Sequence, residues 1–230
     1  MTNQLSDVDI DGAIQETQAE VEGLTRGSFM TKAAVGGGAA LTSGAFMAML
    51  PEMAAARPSR KQDIAILNFA LTLEFLEAAF YKEALAKGAL TGDVLETTKL
   101  IASHENTHVT ALRKTIRSLR GKPVKSPQFN FMNTTGDQKT FLATAFVLEN
   151  TGVHAYLGQV RRILSKKILV AAATIVTIEG RHAAAIACLI NDRPYDLSGG
   201  GSNFTPDGAF DVPFSKKKVL KAVAATGFIV

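Results

Sequence analysis

Two segments of this 230-residue chain carry the same arrangement of acids and histidines. Glu74 is followed 31 residues later by Glu105-Asn-Thr-His108, and Glu149 is followed 30 residues later by Glu179-Gly-Arg-His182. On a helix, positions i and i+3 share a face about one turn apart, so each Glu-x-x-His aims a carboxylate and an imidazole at one point. The chain has four histidines, His104, His108, His154 and His182. Two of the four standing three places after a Glu has a chance of roughly 1% under random placement. The spacing predicts helices, and each copy offers three metal ligands.

The rest of the chain must bring those two copies together. From Gln62 to Tyr81 the sequence is apolar on most helical sides, as in a helix at the middle of a bundle, and it ends at Gly88. Thr91 caps a second helix running to about Arg120, where Gly121 and Pro123 stop it. Residues 121–136 hold two prolines and no helical period. Sixteen residues span up to roughly 50 Å when extended, enough to run the length of a helix of about 38 Å. A third helix from about Asp137 to Leu164 and a fourth from about Lys167 to Ile190 follow, with a short turn near Ser165–Lys167. Two hairpins joined by one long crossover make an all-α, ferritin-like four-helix bundle. After a Gly- and Pro-rich stretch, 198–214, Ser215 caps a short amphipathic segment that covers the bundle. The expected organisation is an N-terminal region over 1–56, the bundle over 57–195 and a C-terminal extension over 196–230.

The halves repeat beyond the ligands. Leu73 and Leu148 precede Glu74 and Glu149, and Tyr81 and Tyr156 stand seven places after them. Glu77, one turn after Glu74, is the other candidate on the first helix; the repeat favours Glu74, because Glu77 aligns with Gly152. His104 points about 100° away from Glu105, which suits a bundle-surface position or support of a ligand, and His154 lies off the direct line from Glu149. Tyr81 and Tyr156 suit core packing with one hydrogen bond, or support of the site. Cys188 reads as a small core residue, and as the only cysteine it excludes an intrachain disulfide.

Four carboxylates and two imidazoles inside an apolar bundle would be very costly as bare charges, and a pair of divalent cations removes that cost. Two Glu-x-x-His motifs plus one Glu from each of two further helices form the ligand set of di-iron and di-manganese carboxylate bundles. Hard oxygen donors with two nitrogens favour iron or manganese over copper or zinc. The reading is two iron or manganese ions per chain on Glu74, Glu105, His108, Glu149, Glu179 and His182.

Charge is unevenly divided: residues 1–56 carry seven acids and two bases, the remainder 14 acids and 23 bases. The basic run Arg113, Lys114, Arg117, Arg120, Lys122 and Lys125 has no interleaved aromatics, so it reads as a solvated helix end and not as a nucleic-acid surface. Thr25-Arg-Gly-Ser-Phe-Met-Thr-Lys32, the Ala/Gly-rich stretch Ala33–Leu50 and Ala54-Ala-Ala56 resemble a twin-arginine export leader with Gly27 in place of the second arginine. The expectation is an exported protein, with no stable membrane span after processing, the alternative being a cytoplasmic protein that has lost export.

Asp63 to Tyr81, His104-Glu-Asn-Thr-His-Val109, Leu148-Glu-Asn-Thr-Gly-Val-His-Ala-Tyr156 and Ile178-Glu-Gly-Arg-His-Ala-Ala184 together resemble the ferritin-like domain family that includes desiccation-related proteins. The resemblance covers about residues 60–230. It implies a ferritin-like bundle, commonly exported in bacteria, and carries the family's metal glutamates onto Glu74 and Glu149 and its paired motifs onto Glu105 with His108 and Glu179 with His182. Two functions compete. One is a di-metal oxidoreductase of ferroxidase, peroxidase or catalase type, acting on oxygen or peroxide in stress protection. The other is a non-catalytic desiccation or stress protein whose metal site holds the helices together. A homo-oligomer is compatible with both.

Overall fold

The computed structural model describes residues 59–191 and 210–230, and the leader-like stretch lies outside them. Five α-helices are found among the described residues: α1 Arg60–Lys87, α2 Gly92–Ser118, α3 Gln138–Leu157, α4 Lys166–Asn191 and α5 Lys216–Thr226. The first four form two hairpins, α1 on α2 and α3 on α4, joined by the long crossover expected from the sequence.

Local chemistry sets the ends of each helix. The Ser59 hydroxyl accepts from the Gln62 amide at the start of α1, and Asp137 accepts from Thr140 N–H at 2.9 Å at the start of α3. Gly88 closes α1 in the left-handed conformation (φ 68°), its N–H donating to Leu85 O. Buried residues ring α1 on every side, from Ile66, Phe69 and Leu71 to Leu73, Leu76 and Phe80, which fits a helix whose apolar residues follow no single stripe. By length and hydropathy alone α1 and α4 would both qualify as membrane spans; α1 is a buried core helix, while α4 turns Val170 and Ile190 outward.

The crossover is fastened, not merely long. Asn68 on α1 accepts from Val124 N–H at 2.7 Å and donates to Lys122 O at 3.2 Å, so one buried amide holds both sides of Pro123. Farther along, Phe131 inserts edge-on against Phe80, and Phe80 stacks on Phe141 of α3. The C-terminal segment closes over this end. Phe228 packs on Phe131, Val219, Leu220 and Val223 of α5 are buried, and Phe129 pairs with Ile229 in an antiparallel bridge.

The third helix is shorter than its pattern predicts. It stops at Leu157 and not Leu164, and a 3-10 turn, Val160–Arg162, leads to α4 where a short turn was expected. The cause is tertiary. A Cβ on Gly158 would lie 1.8 Å from Phe214 O, and Phe214 N–H donates to His154 O at 2.9 Å, so the C-terminal segment's backbone lies against the end of α3. The chain then re-enters α4 on Asp63, whose two carboxylate oxygens accept from the amides of Leu164 and Ser165.

Candidate metal centre

Helix register places every site residue. Glu74 comes from α1, Glu105 and His108 from α2, Glu149 from α3, and Glu179 and His182 from α4. All four carboxylates are fully buried, at 0% exposure, and the two histidines nearly so. Two groups form, each with ligand atoms within 4.8 Å of one another: Glu74, Glu105, His108 and Glu179, and Glu105, Glu149, Glu179 and His182. The structure thus brings together all six residues singled out in the sequence. Glu105 and Glu179 belong to both groups and lie between them.

The imidazoles face the carboxylates through Nδ1. His108 Nδ1 lies 3.1 Å from Glu74 Oε2, 3.4 Å from Glu105 Oε2 and 3.1 Å from Glu179 Oε1. His182 Nδ1 lies 3.0 Å from Glu105 Oε1 and 3.2 Å from Glu149 Oε2. One N–H cannot serve three acceptors well. Glu105 Oε1 and Glu179 Oε1 meet an imidazole nitrogen at 3.0 and 3.1 Å but outside hydrogen-bond geometry, and Glu179 Oε2 has no hydrogen bond, although all three oxygens are buried. Buried carboxylate oxygens without donors are costly, and a cation at the point where Nδ1 and these oxygens converge relieves that cost. Four carboxylates also balance the charge of two divalent ions. The buried Glu and His groups are able to hold metal ions.

Two tyrosines bind the halves together crosswise. Tyr156 on α3 donates to Glu74 Oε1 on α1 at 2.5 Å, and Tyr81 on α1 donates to Glu149 Oε1 on α3. Both pairs fit one antiparallel register of α1 against α3, so the seven-residue interval seen in each half carries each phenol to the other half's glutamate. Each terminal carboxylate has one oxygen held by a phenol and the other turned to an imidazole.

Protonation follows the same geometry. Burial lifts Glu74 to about 8, against the opposing pull of His108, and burial together with neighbouring carboxylates pushes Glu77 and Glu179 well above the usual range. Glu105 goes the other way: burial opposes ionisation, but His108 and His182 outweigh it and hold the carboxyl at about 2. Burial alone would lower both histidines; the carboxylates facing them push His108 up to about 12 and His182 up to about 9. His108 meets three carboxylates and His182 two, which accounts for the order. The metal-free site therefore stores protons where cations would stand.

The remaining candidates separate. Glu77 is buried beside the site, 3.3 Å from the position a Cβ on Gly152 would take, with Glu179 Oε2 3.2 Å from the same point. It is outside both convergent groups. His104 is half-buried and its Nδ1 lies 2.9 Å from His182 Nε2, with the two rings stacked. It touches the outer nitrogen of a histidine whose inner nitrogen faces the carboxylates. His154 stacks on Phe214, 4.2 Å between centroids, away from the cluster. Cys188 is half-buried on α4 and not a core residue as expected, because it falls on the side of the helix between core and solvent. The reciprocal tyrosine pairing was signalled by the matched intervals; the close approach of Glu77 and Glu179 at Gly152 had no sequence signal beyond the glycine itself.

Comparison with curated proteins returns no match. The model of the ferritin-like domain matches residues 62–192, more than half of the chain and all six convergent residues, and the chain belongs to the ferritin-like domain family.

Proposed function

We propose that Glu74, Glu105, His108, Glu149, Glu179 and His182 hold two iron or manganese ions, and that the protein is a di-metal oxidoreductase acting on oxygen or peroxide in protection against oxidative stress. The observation that carries this reading is the pair of convergent groups sharing Glu105 and Glu179, with buried oxygens left without hydrogen bonds. Hard oxygen donors with one imidazole to each ion favour iron or manganese. When bound, such ions supply one-electron exchange with oxygen or peroxide.

The chain's own residues do the rest. Tyr156 and Tyr81 orient Glu74 and Glu149 by holding one oxygen of each, and His104 fixes the ring of His182 through its outer nitrogen. Full burial of the four carboxylates keeps bulk water from the cluster, which strengthens every charge interaction there. Binding displaces the protons that His108 and His182 carry in the metal-free protein. The leader-like stretch supports export, so the expected workplace is outside the cytoplasm, on small oxidants and without nucleic acid.

Reconstituting the protein with ferrous or manganous ion and following ferrous oxidation and peroxide consumption tests the activity. The expected result is multiple turnovers above the free-ion rate, abolished when Glu105 and Glu179 are both replaced by Gln. Two tightly bound ions with no turnover would overturn the catalytic reading and leave the metals holding four helices together.

A further inference from the structure

The antiparallel bundle gathers positive charge at one end. Arg60, the first residue of α1, donates to Leu119 O just past α2, and Gln62 Nε2 donates to Arg162 O between α3 and α4 at 3.4 Å. Asp63 accepts from the amides of Leu164 and Ser165 at 2.8 and 3.1 Å. Four helix ends therefore meet. They bring together the exposed residues Arg60 and Lys61 of α1, Arg120 and Lys122 after α2, and Arg161, Lys166 and Lys167 around the turn into α4. Asp63 offers these cations nothing, since it is 2% exposed and both its oxygens accept backbone amides. Among the described residues, Glu83, Asp93, Glu96 and Asp137 stand at the opposite end, where Lys87 and Lys99 pair with Glu83 and Glu96. The remaining exposed acid, Asp211, lies by His154 on the C-terminal segment.

Helix electrostatics does not account for this charge. Cations favour helix C-termini, which suits Arg120 and Lys122, but Arg60 and Lys61 open α1 and Lys166 and Lys167 open α4, where the helix dipole disfavours them. The same end carries aliphatic side chains in water. Val160 and Leu164 are 41% and 56% exposed on either side of Arg161, and Val170 is 63% exposed one turn along α4 from Lys166. Aliphatic groups set among cations suit a surface with negative headgroups above acyl chains. A nucleic-acid strand would reward aromatic stacking instead, and the side chains standing between these cations are aliphatic.

We propose that this end of the bundle docks peripherally on an anionic lipid surface. The cations of three helix ends face the headgroups, and Val160 and Leu164 enter the boundary between headgroups and acyl chains. The contact is reversible, because both charge and apolar burial are needed and neither is large. Glu74 lies about 20 Å along α1 from Arg60, at 1.5 Å per residue, so docking does not depend on metal in the glutamate and histidine cluster.

Sedimentation of the full chain with vesicles of phosphatidylglycerol and phosphatidylcholine in equal parts, and with vesicles of phosphatidylcholine alone, tests this with and without metal. Binding to the anionic vesicles is expected to be at least tenfold tighter in both states, and to weaken at least tenfold in high salt. Each basic residue near an anionic leaflet is worth about fivefold in affinity, so replacing Lys166 and Lys167 together by Gln should cost about 25-fold. Leu164→Ser should cost about fivefold with the charge unchanged, while Lys139→Gln at the opposite end should cost less than twofold. All these side chains are exposed, so the variants should keep the helical circular dichroism of the parent. Equal binding to the two kinds of vesicle, or a loss from Lys139→Gln as large as that from the Lys166 and Lys167 pair, would overturn the proposal. So would an unchanged affinity in Leu164→Ser, or duplex DNA held as tightly as the anionic vesicles.

Discussion

The two halves of the bundle hold the same four chemical groups yet differ at two positions, and the differences show which parts of a duplicated site must be symmetric. Glu74, Glu105, His108 and Tyr81 in the first half correspond to Glu149, Glu179, His182 and Tyr156 in the second. These groups are interlocked: each tyrosine serves the opposite half's glutamate, and both shared glutamates face both groups. Outside that set the halves diverge, with Glu77 against Gly152 and His104 against Ile178. The first divergence suits the packing, since a Cβ at 152 would lie 3.2 Å from Glu179 Oε2 and 3.3 Å from Glu77 Oε1, so that these carboxylates would have to give by a few tenths of an ångström. The second gives one histidine an outer support that its counterpart lacks.

The largest expected effect comes from pH on the metal-free protein. Glu74 and His182 both have folded values raised above their unfolded ones, to about 8 and about 9. The folded state binds more protons, so the contribution of Glu74 is fully present below about 4.5 and that of His182 below about 6.5, and both are lost as pH rises through the folded values. Glu105, lowered to about 2, contributes stability that is lost only as pH falls from about 4.5 through that value. Thermal midpoints of chelated protein should therefore fall from pH 6.5 to 9, while metal affinity rises over the same range. Imidazole NMR sharpens the comparison between halves, His182 titrating before His108.

His104→Ile gives the first half the residue the second half carries at 178. Loss of an outer hydrogen bond to a metal-facing histidine typically lowers metal affinity about 10–100-fold. Calorimetry should show the deficit in one ion of the two, on the His182 side; an equal loss in both ions would mean that the halves act as one unit.

A smaller effect is expected at the glycines. Gly152→Ala should weaken metal binding roughly tenfold by displacing the Glu179 carboxylate, with little change in stability because the helix-propensity gain of about 1 kcal/mol offsets the crowding. Gly180, within α4 and with open space around its Cβ position, is the contrast. Gly180→Ala should raise stability by about 0.5–1 kcal/mol in denaturant unfolding and leave metal affinity unchanged.

What was legible in the sequence was what repeats. Glu-x-x-His at one-turn spacing, the apolar run of α1 and the proline-bearing crossover each follow from periodicity or punctuation, so the bundle and its six convergent residues could be read directly. Helix ends that depend on distant chain could not. The pattern through Leu164 is helical, and only the contact of Phe214 with Gly158 explains why α3 stops at Leu157. Gln159 falls in the same class: nothing in its neighbours marks it as buried, and its unpaired amide emerges only when four helices surround it.

The central claim is that six residues hold two ions that share Glu105 and Glu179. Anomalous diffraction from crystals of protein reconstituted with iron or manganese, collected at the absorption edge of that metal, tests it most directly. Two peaks per chain should appear inside the bundle, one bounded by Glu74 and His108, the other by Glu149 and His182, with Glu105 and Glu179 touching both. A single peak, or none within reach of Glu105 and Glu179, would contradict it.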